Sequence, residues 1–396
     1  MSATNKPPKN GSSQTTWAAL LAGLRRRQPE IIALLGEFVR RESFSYDKNG
    51  VDALAQKVAK EWRKRDARVQ ILREKERGNH VRAHLWLGRG KPQGQILVLG
   101  HLDTVYARGT LARMPFRVSN GYAWGPGIFD MKAGAVLALA AVDALRRAAI
   151  SPRKSFVFLW TSDEEVGSGS SRTIIQREAR RSAAVLVLEP SLGPNGKLKT
   201  RRKGVGGVQI EITGRAAHAG INPQAGVNAI HELALQIARL AKMNDPAKGI
   251  TVQTNVASGG TVSNVVAAEA RAEVDVRFAH AADAASLEKK LLGIKPFLKG
   301  ARLRVTGGVS RPPLERTAAV AALFEKARAL SQAMGLKLEE GATGGGSDGN
   351  FTAALGVPTL DGLGAIGDGA HSPRERVRIR KLPGRAALIA ALLATL

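Results

Sequence analysis

The positions of apolar residues divide the chain into helical and extended stretches. Apolar residues recur every three or four positions over Trp17–Arg41 and Val51–Arg65, which predicts two amphipathic helices. Short apolar runs at Ile96–Leu99, Ser155–Trp160 and Ala183–Leu188 predict buried strands, with helical stretches between several of them. Strands that alternate with helices predict an α/β domain built around a central sheet.

The middle of the chain has a different pattern, which predicts a separate domain. Residues 204–312 show the order strand, helix, strand, strand, helix, strand, which is that of a ferredoxin-like unit. We expect this unit to be inserted into a domain formed by residues 17–203 and 313–396. Residues 1–16 are polar, and we expect them to form a disordered tail.

The composition limits the kinds of site that remain. The chain has 396 residues, of which 44% are hydrophobic, and it contains no cysteine. Disulfides and thiolate ligands are therefore excluded, so a metal ion would have to bind His, Asp and Glu side chains. No apolar run approaches the ~20 residues of a membrane span, and the first residues lack the apolar core of a signal peptide. We therefore expect a cytoplasmic protein.

The formal net charge of +27 raises the question of nucleic-acid binding. The basic residues are scattered in short groups, and no zinc finger, RNA-recognition signature or alternation of aromatic and basic residues accompanies them. We therefore expect neither a specific nucleic-acid partner nor a membrane partner. The excess charge is interpreted as a solvated basic surface, which would also attract anionic substrates.

Potential metal ligands directly follow three of the predicted strands. His101 and Asp103 end the first strand, and in an extended chain their side chains leave the same face. Glu164 and Glu165 follow the second strand, and Glu189 follows the third. Because sites assemble at the carboxyl ends of strands in open α/β sheets, we expect these residues to converge.

Two further residues complete the candidate set. Asp130 lies where a glycine-rich loop meets a predicted helix, and His371 lies on another glycine-rich loop near the C-terminus. Two histidines and several carboxylates, without cysteine, suit a dinuclear zinc site. Asp130 would bridge the two metals, of which one would bind His101 and Glu189 and the other Glu165 and His371.

Glu164 lies next to a predicted ligand and is free to act as a general base. It would take a proton from a metal-bound water, while the metals lower the pKa of that water and stabilise the negative charge formed on attack. Hydrolysis of an amide is the reaction that this set of groups performs best.

Six short motifs lie in the order and spacing of a known family, from about residue 20 to the end of the chain: Gly100–Val105, Gly125–Gly134, Thr161–Gly167, Leu188–Pro190, Gly214–Gly220 and Gly369–Pro373. The chain thus resembles the zinc-dependent family of glutamate carboxypeptidase, acetylornithine deacetylase and succinyl-diaminopimelate desuccinylase. Within that family it is most similar to the bacterial glutamate carboxypeptidases, which release C-terminal glutamate from folates and N-acyl peptides.

The resemblance implies a fold and a role for each residue of the candidate set. It implies a zinc-peptidase-like catalytic domain with a central mixed sheet, and an inserted ferredoxin-like lid that also forms a homodimer. The five ligands and Glu164 receive the roles given above, and Asp103 becomes the residue that orients His101. The Asp130–Met131 peptide is implied to be cis.

The resemblance also implies residues that bind the substrate. In the family, a histidine and an asparagine of the lid contact the substrate, often in the partner subunit's active site. Two arginines bind the substrate carboxylate, and a lysine and a glycine-rich loop supply further contacts. In that order, the matching residues are His218, Asn264, Arg277, Arg311, Lys197 and, in the loop of residues 343–347, Gly346.

The expected reaction is cleavage of an amide bond next to a free carboxylate, with release of a C-terminal glutamate or a similar amino acid. An amino-acid N-deacylase or a dipeptidase, with the same metals and a different leaving group, is the nearest alternative. Co²⁺ or Mn²⁺ could substitute for zinc. A non-catalytic metal-binding protein would lack the base or a ligand, and neither is missing.

One stretch, Arg201–Lys203, is more basic than the family pattern. This excess charge would favour an acidic substrate, or the stretch would simply face solvent.

Overall fold

The computed structural model describes residues 11–396 of the chain, with side chains from residue 16 onward. The chain forms two compact units. The first contains the residues up to Thr200 together with Arg316–Ala342 and Ser347–Leu396, and the second contains Arg201–Glu315 and Thr343–Gly346. Within the described residues, no helix combines the length and the apolar character needed to cross a membrane.

The secondary-structure elements are numbered in chain order. The helices are α1 Gly11–Arg26, α2 Gln28–Val39, α3 Lys48–Arg63, α4 Thr110–Arg113, α5 Ala133–Arg147, α6 Arg172–Arg180, α7 Ala229–Ala241, α8 Ala281–Leu292, α9 Ala318–Ala333, α10 Gly349–Ala353 and α11 Leu382–Thr395. The strands are β1 Arg68–Leu72, β2 His80–Leu85, β3 Gln95–His101, β4 Arg117–Ser119, β5 Tyr122–Trp124, β6 Ser155–Thr161, β7 Ser182–Val187, β8 Leu198–Arg202, β9 Gly204–Thr213, β10 Thr251–Gly259, β11 Glu269–Phe278, β12 Arg302–Arg311, β13 Glu340–Thr343, β14 Thr359–Leu360, β15 Gly367–Asp368 and β16 Arg376–Arg378.

A six-stranded mixed sheet forms the centre of the first unit, with the strand order β1-β2-β6-β3-β7-β14. β3 runs parallel to β6 and β7, whereas β2 is antiparallel to both of its neighbours. Along β3, Ile96 and Val98 belong to one apolar cluster, while Leu97 and Leu99 belong to a second cluster on the other face. Burial on both faces explains why the strand is a continuous apolar run. The predicted α/β fold with a mixed sheet is confirmed.

The N-terminal region differs from the prediction in two ways. The single predicted helix is interrupted at Arg27, because Pro29 has no N–H to donate and its ring clashes with the preceding turn. The helix before this break begins at Gly11, so the prediction of a disordered tail is wrong for residues 11–16. Ser, Gln and Thr are only slightly poorer helix formers than Ala, so their polarity does not prevent a helix. The tail prediction for residues 1–10 lies outside the described residues.

The second unit is built on a four-stranded antiparallel sheet with the order β10-β11-β9-β12. Its elements follow one another as strand, helix, strand, strand, helix, strand, with α7 and α8 as the helices. Alternate residues of the strands, such as Ile210 and Val274, pack with apolar residues of these helices in one buried cluster. The unit differs in extent from the predicted inserted domain, since it also includes residues 201–203, 313–315 and 343–346.

Candidate metal and catalytic site

The parallel strands β3 and β6 end at the same edge of the central sheet. His101, the last residue of β3, lies directly opposite Thr161, the last residue of β6. β7 runs in the same direction and ends at Val187, two residues before Glu189. The register therefore brings the ends of three strands together, as the sequence predicts.

His101 is buried, and its ring is oriented by Asp103. The His101 Nδ1 atom lies 2.9 Å from the carbonyl oxygen of Asp103 and 3.5 Å from its carboxylate Oδ1. The other ring nitrogen, Nε2, lies 3.2 Å from Asp130 Oδ1 and 3.4 Å from Glu189 Oε1. A histidine whose Nδ1 is bonded in this way presents Nε2 to a metal ion.

Asp130 lies between the two histidines. Its Oδ1 is 3.2 Å from Nε2 of His101, and its Oδ2 is 3.4 Å from Nε2 of His371. One oxygen directed to each imidazole is the arrangement of a carboxylate that bridges two metal ions. Asp130 belongs to the segment Ile128–Lys132 before α5, and the Asp130–Met131 peptide is cis, as the resemblance implied.

Glu165 adjoins the second histidine and carries an unsatisfied atom. Its Oε2 lies 3.2 Å from Nε2 of His371. Its Oε1 is buried and has no hydrogen-bond partner among the described residues. A buried carboxylate oxygen without a partner costs free energy, and a cation beside it would remove that cost. The donor set and this unsatisfied oxygen therefore fit a metal ion.

His371 is held in an unusual backbone conformation. Its φ is +59°, in the left-handed region, which costs a non-glycine residue roughly 1–2 kcal/mol. The Tyr106 hydroxyl donates a hydrogen bond of 3.0 Å to the carbonyl oxygen of Ser372 and so fixes the adjacent backbone. Strain of this kind persists where the surrounding structure imposes it, as at functional sites.

Glu164 lies beside the first histidine, and Asp103 fixes its backbone. One carboxylate oxygen of Glu164 and ligand atoms of His101 and Glu189 lie within 4.8 Å of one another. The N–H groups of Glu164 and Glu165 each donate to the Asp103 carboxylate, at 3.2 Å. Asp103 therefore orients His101 and also holds the acidic turn, a second role that the sequence did not predict.

The carboxylates control the protonation of both histidines. Burial alone would lower the pKa of His101, but hydrogen bonds to Asp103, Asp130 and Glu189 raise it well above its usual range. Hydrogen bonds to Asp130 and Glu165 raise the pKa of His371 to about 10. In the metal-free protein, protonated imidazoles thus neutralise part of the acid cluster. A metal ion would have to replace those protons.

Glu375 is a residue of this site that the sequence analysis missed. Its buried carboxylate accepts hydrogen bonds from the N–H groups of Gly127, Phe129 and Asp130, at 3.0, 2.7 and 2.9 Å. These bonds hold the loop that presents Asp130. Burial raises the pKa of Glu375 to about 7. Its only signal in the sequence was a single acid in an arginine-rich stretch, four residues after His371.

Lys132 lies inside one of the six motifs but received no role from the sequence. Its side chain is buried, and Nζ donates a hydrogen bond of 2.9 Å to the carbonyl oxygen of Arg41. Burial lowers the pKa of Lys132 to about 8. This ammonium group anchors the start of α5 to the residues that follow α2.

Three predicted substrate-binding residues lie together in the second unit. Val205 of β9 is paired with Arg277 of β11 on one side and with Arg311 of β12 on the other. A Cβ atom at Gly346 would lie 3.2 Å from the Arg311 side chain. Arg277 already forms a bidentate ion pair with Asp275, with N···O distances of 2.9 and 2.8 Å. Asp275 would therefore compete with a substrate carboxylate for this guanidinium.

His218 and Asn264 form a second group in the same unit. The N–H of Ala219 donates to the carbonyl oxygen of Asn264 at 2.9 Å, and both predicted residues are exposed. The His218 Nδ1 atom accepts hydrogen bonds from the N–H groups of Gly220 and Ile221, each at 3.1 Å. The proton of the neutral ring is therefore on Nε2, which makes that atom a hydrogen-bond donor.

Two basic residues that were expected near the substrate have partners within the chain. Lys197 Nζ lies 3.2 Å from Glu339 Oε2, in an ion pair. Arg202 is buried, and its Nη1 donates to the carbonyl oxygens of Gly345 and Gly346 at 3.1 and 2.9 Å. Of the two alternatives for this basic stretch, exposure to solvent does not hold for Arg202, which fixes the glycine-rich loop.

The sequence matches the model of peptidase family M20/M25/M40 over residues 97–395. The chain belongs to this family. It is 34% identical over 373 residues to carboxypeptidase G2 of Pseudomonas sp. (strain RS-16), covering 92% of this chain and 89% of the relative. It is 30% identical over 346 residues to succinyl-diaminopimelate desuccinylase of Dechloromonas aromatica (strain RCB), covering 78% of this chain and 85% of the relative.

Solved structures of other peptidases share the fold. The aminopeptidase PepT from Bacillus cereus aligns with a TM-score of 0.76 at 21% identity, covering 93% of this chain and 98% of that one. The Bacillus subtilis YXEP protein, described as a dinuclear metal binding peptidase from the M20 family, aligns with a TM-score of 0.68 at 13% identity, covering 93% and 97%. At these identities, the likeness shows the fold alone.

Membership in the M20/M25/M40 family confirms several of the sequence-based expectations. The predicted family is correct, and with it the class of metal-dependent hydrolase that uses zinc. The roles of the individual site residues, the domain roles and the substrate stay predictions.

Proposed function

We propose that the chain is a dinuclear zinc carboxypeptidase that cleaves an amide bond next to a free carboxylate. The observation that carries the proposal is the position of Asp130, whose two oxygens face His101 and His371 separately. His101 and Glu189 would bind one ion, Glu165 and His371 would bind the other, and Asp130 would bridge them. When bound, the two ions would lower the pKa of a water molecule and stabilise the negative charge that develops on the substrate carbonyl.

The chain's own groups move the protons in this proposal. Glu164 accepts a proton from the attacking water and delivers it to the leaving nitrogen. Support for this role comes from its place beside His101 and Glu189, within reach of both. Asp103 is a positioning residue, because its carboxylate orients His101 and accepts from the backbone of the acidic turn.

The second unit provides all but one of the substrate-binding groups in this proposal, the exception being Lys197 of the first unit. Arg277 and Arg311 bind the substrate carboxylate, with the backbone of Gly346 beside them. The exposed Nε2–H of His218 and the Asn264 side chain donate hydrogen bonds to the substrate. Lys197 contributes a further contact once it leaves Glu339.

The inserted domain, residues 204–312, acts as lid and dimerisation domain, and the remaining residues from 17 onward act as the catalytic domain. These assignments, like the homodimer and the cytoplasmic location, rest on the sequence and on the resemblance to the family.

The two relatives support different leaving groups. Identity of 34% with carboxypeptidase G2 over most of both chains supports a C-terminal amino acid, with glutamate first. Identity of 30% with a desuccinylase supports an N-deacylase as the second candidate. Both reactions break an amide next to a carboxylate-bearing group, so the metal site alone does not distinguish them.

A hydrolysis screen tests the proposal. The zinc-loaded protein is assayed on N-acyl-glutamate, on acylated basic and apolar amino acids and on dipeptides, each with and without a chelator. We expect the highest kcat/KM on N-acyl-glutamate, loss of activity with the chelator, and recovery on addition of zinc. Higher kcat/KM on acylated basic amino acids would favour the N-deacylase. Activity that survives complete metal removal would overturn the metal mechanism.

A further inference from the structure

A concave surface lies at the other end of the central sheet, far from the metal ligands. It has a volume of about 410 Å³ and includes Gln95, the first residue of β3. His101, at the other end of this strand, is six residues away, which corresponds to roughly 20 Å. Every residue that lines the surface is charged or polar. Four are arginines, Arg68, Arg82, Arg177 and Arg181, and we call this surface the arginine groove.

The arginines come from two walls. On the strand wall, Arg68 of β1 lies directly opposite His84 of β2, two residues from Arg82, so all three side chains leave the same face. On the helix wall, Arg177 belongs to α6, and Arg181 is the residue that directly follows the last residue of α6. The groove is the part of this sheet face that α6 leaves uncovered.

One carboxylate lies at the base of the groove, and both of its oxygens have arginine partners. Glu178 is buried, and its two carboxylate oxygens each lie 3.1 Å from a guanidinium nitrogen of Arg82. The Nε atom of Arg177 lies 3.7 Å from the same carboxylate. Arg68 and Arg181 form no ion pair within the described part of the chain. Four cations thus share one anion, and the surplus positive charge is concentrated in a concave surface.

We propose that the arginine groove binds a small, multiply charged phosphate such as pyrophosphate. Guanidinium groups pair with phosphate oxygens through two parallel hydrogen bonds, and groups on both walls allow several such pairs at once. The volume lies at the lower end of the range for small-molecule sites. Phe, Tyr and Trp are absent from the lining of the groove, and its volume fits a compact anion better than a nucleic-acid strand.

The helix wall contributes through its side chains and not through its backbone. The C-terminal end of a helix carries partial negative charge, which repels an anion. An anion in the groove is therefore held by side chains, of which the guanidinium groups carry the charge, and its affinity should depend strongly on them. The groove contains none of the proposed catalytic or metal-binding residues, so this inference does not depend on the proposed hydrolase activity.

A calorimetric titration tests the proposal. Pyrophosphate is added to the zinc-loaded protein at fixed ionic strength, and the same titration is made on the double variant Arg68→Gln/Arg181→Gln. The matched control is Arg63→Gln/Arg89→Gln, which removes the same charge from exposed positions elsewhere on the first unit. Since a hydrogen bond between charged groups contributes about one decade of affinity or more, we expect the Kd to rise at least tenfold in the groove variant and less than threefold in the control.

Three outcomes would overturn the proposal. No binding to the wild type would remove the site. An equal loss of affinity in both double variants would show attraction to the overall positive charge only. A titration curve unchanged in the groove variant, with zinc lost from the protein on dialysis, would show that pyrophosphate acts by chelating the metal.

Discussion

The two ends of the central sheet differ in the sign of their excess charge and in how their side chains are held. At the carboxyl end of β3, the nitrogens of His101 lie within 3.5 Å of three carboxylates, and backbone hydrogen bonds to Asp103 and Glu375 fix the loops around them. At the amino end, the buried Glu178 pairs with Arg82 and lies 3.7 Å from Arg177, and the three arginines other than Arg82 are exposed. The first arrangement is preorganised for ions of fixed geometry. The second arrangement suits a hydrated anion, because exposed arginine side chains can adjust their conformation to its position.

The largest effect should come from removing one acid at each end of the sheet. Glu164→Gln should keep zinc and lower kcat about 10³-fold, because an amide cannot take the proton of the attacking water. The matched variant at the other end, Glu178→Gln, should retain turnover. It should lose about 2 kcal/mol of unfolding free energy, because Arg82 would lose its charged partner. Steady-state kinetics, zinc analysis and denaturant unfolding measure these quantities.

The outcome that contradicts this contrast is equal turnover in the two variants. If Glu164→Gln hydrolysed substrate at the wild-type rate, another group would have to act as the base. If Glu178→Gln lost activity as well, the two ends of the sheet would be functionally coupled.

A smaller effect should follow from weakening the support behind the acid cluster. Glu375→Gln replaces a carboxylate that accepts from three N–H groups with an amide whose NH₂ would face some of them. The loop that presents Asp130 should loosen, and zinc affinity should fall about 10- to 100-fold. Competition with a chromophoric chelator measures the change, and the exposed Glu76→Gln serves as control. Unchanged affinity would mean that the loop is held by other contacts.

The smallest expected effect concerns protons. At pH 8, zinc binding should release at least one proton, because His371, with a pKa of about 10, holds one in the metal-free site and only a neutral imidazole binds a metal. The raised pKa of His371, about 10, also means that the metal-free fold keeps this stabilisation below pH 6.5 and loses it as the pH rises towards 10. Calorimetry in buffers of different ionisation enthalpy counts the protons, and a heat that does not depend on the buffer would contradict the assignment.

The sequence predicted the acid end of the sheet well for a physical reason. Its ligands follow directly after apolar strands, so the strand pattern alone placed His101, Glu165 and Glu189 at one edge. The sequence analysis did not identify Glu375, because its hydrogen-bond partners are backbone N–H groups, and a sequence does not show which backbone groups a side chain will meet. The interruption of the helix at Arg27 could have been predicted, because Pro29 lies within the helical pattern and a proline at such a position interrupts a helix.

The arginine end could not be predicted in the same way. Its four arginines are spread over more than 110 positions of the chain, and only strand register and the placement of α6 bring them together. In the sequence they were part of a scattered excess of positive charge. The same holds for Arg277 and Arg311, whose common neighbour Val205 is visible only in the sheet. Pairing between distant segments is the information that a single sequence lacks.

Asp103 has a consequence for how the two ions would bind. The same carboxylate contacts the ring of His101, which would hold the first ion, and the backbone of Glu165, which would hold the second. Both positions therefore depend on one buried carboxylate, although it would bind neither ion. Replacing Asp103 should weaken the two positions together, so that the variant would lose both ions over the same range of zinc concentration.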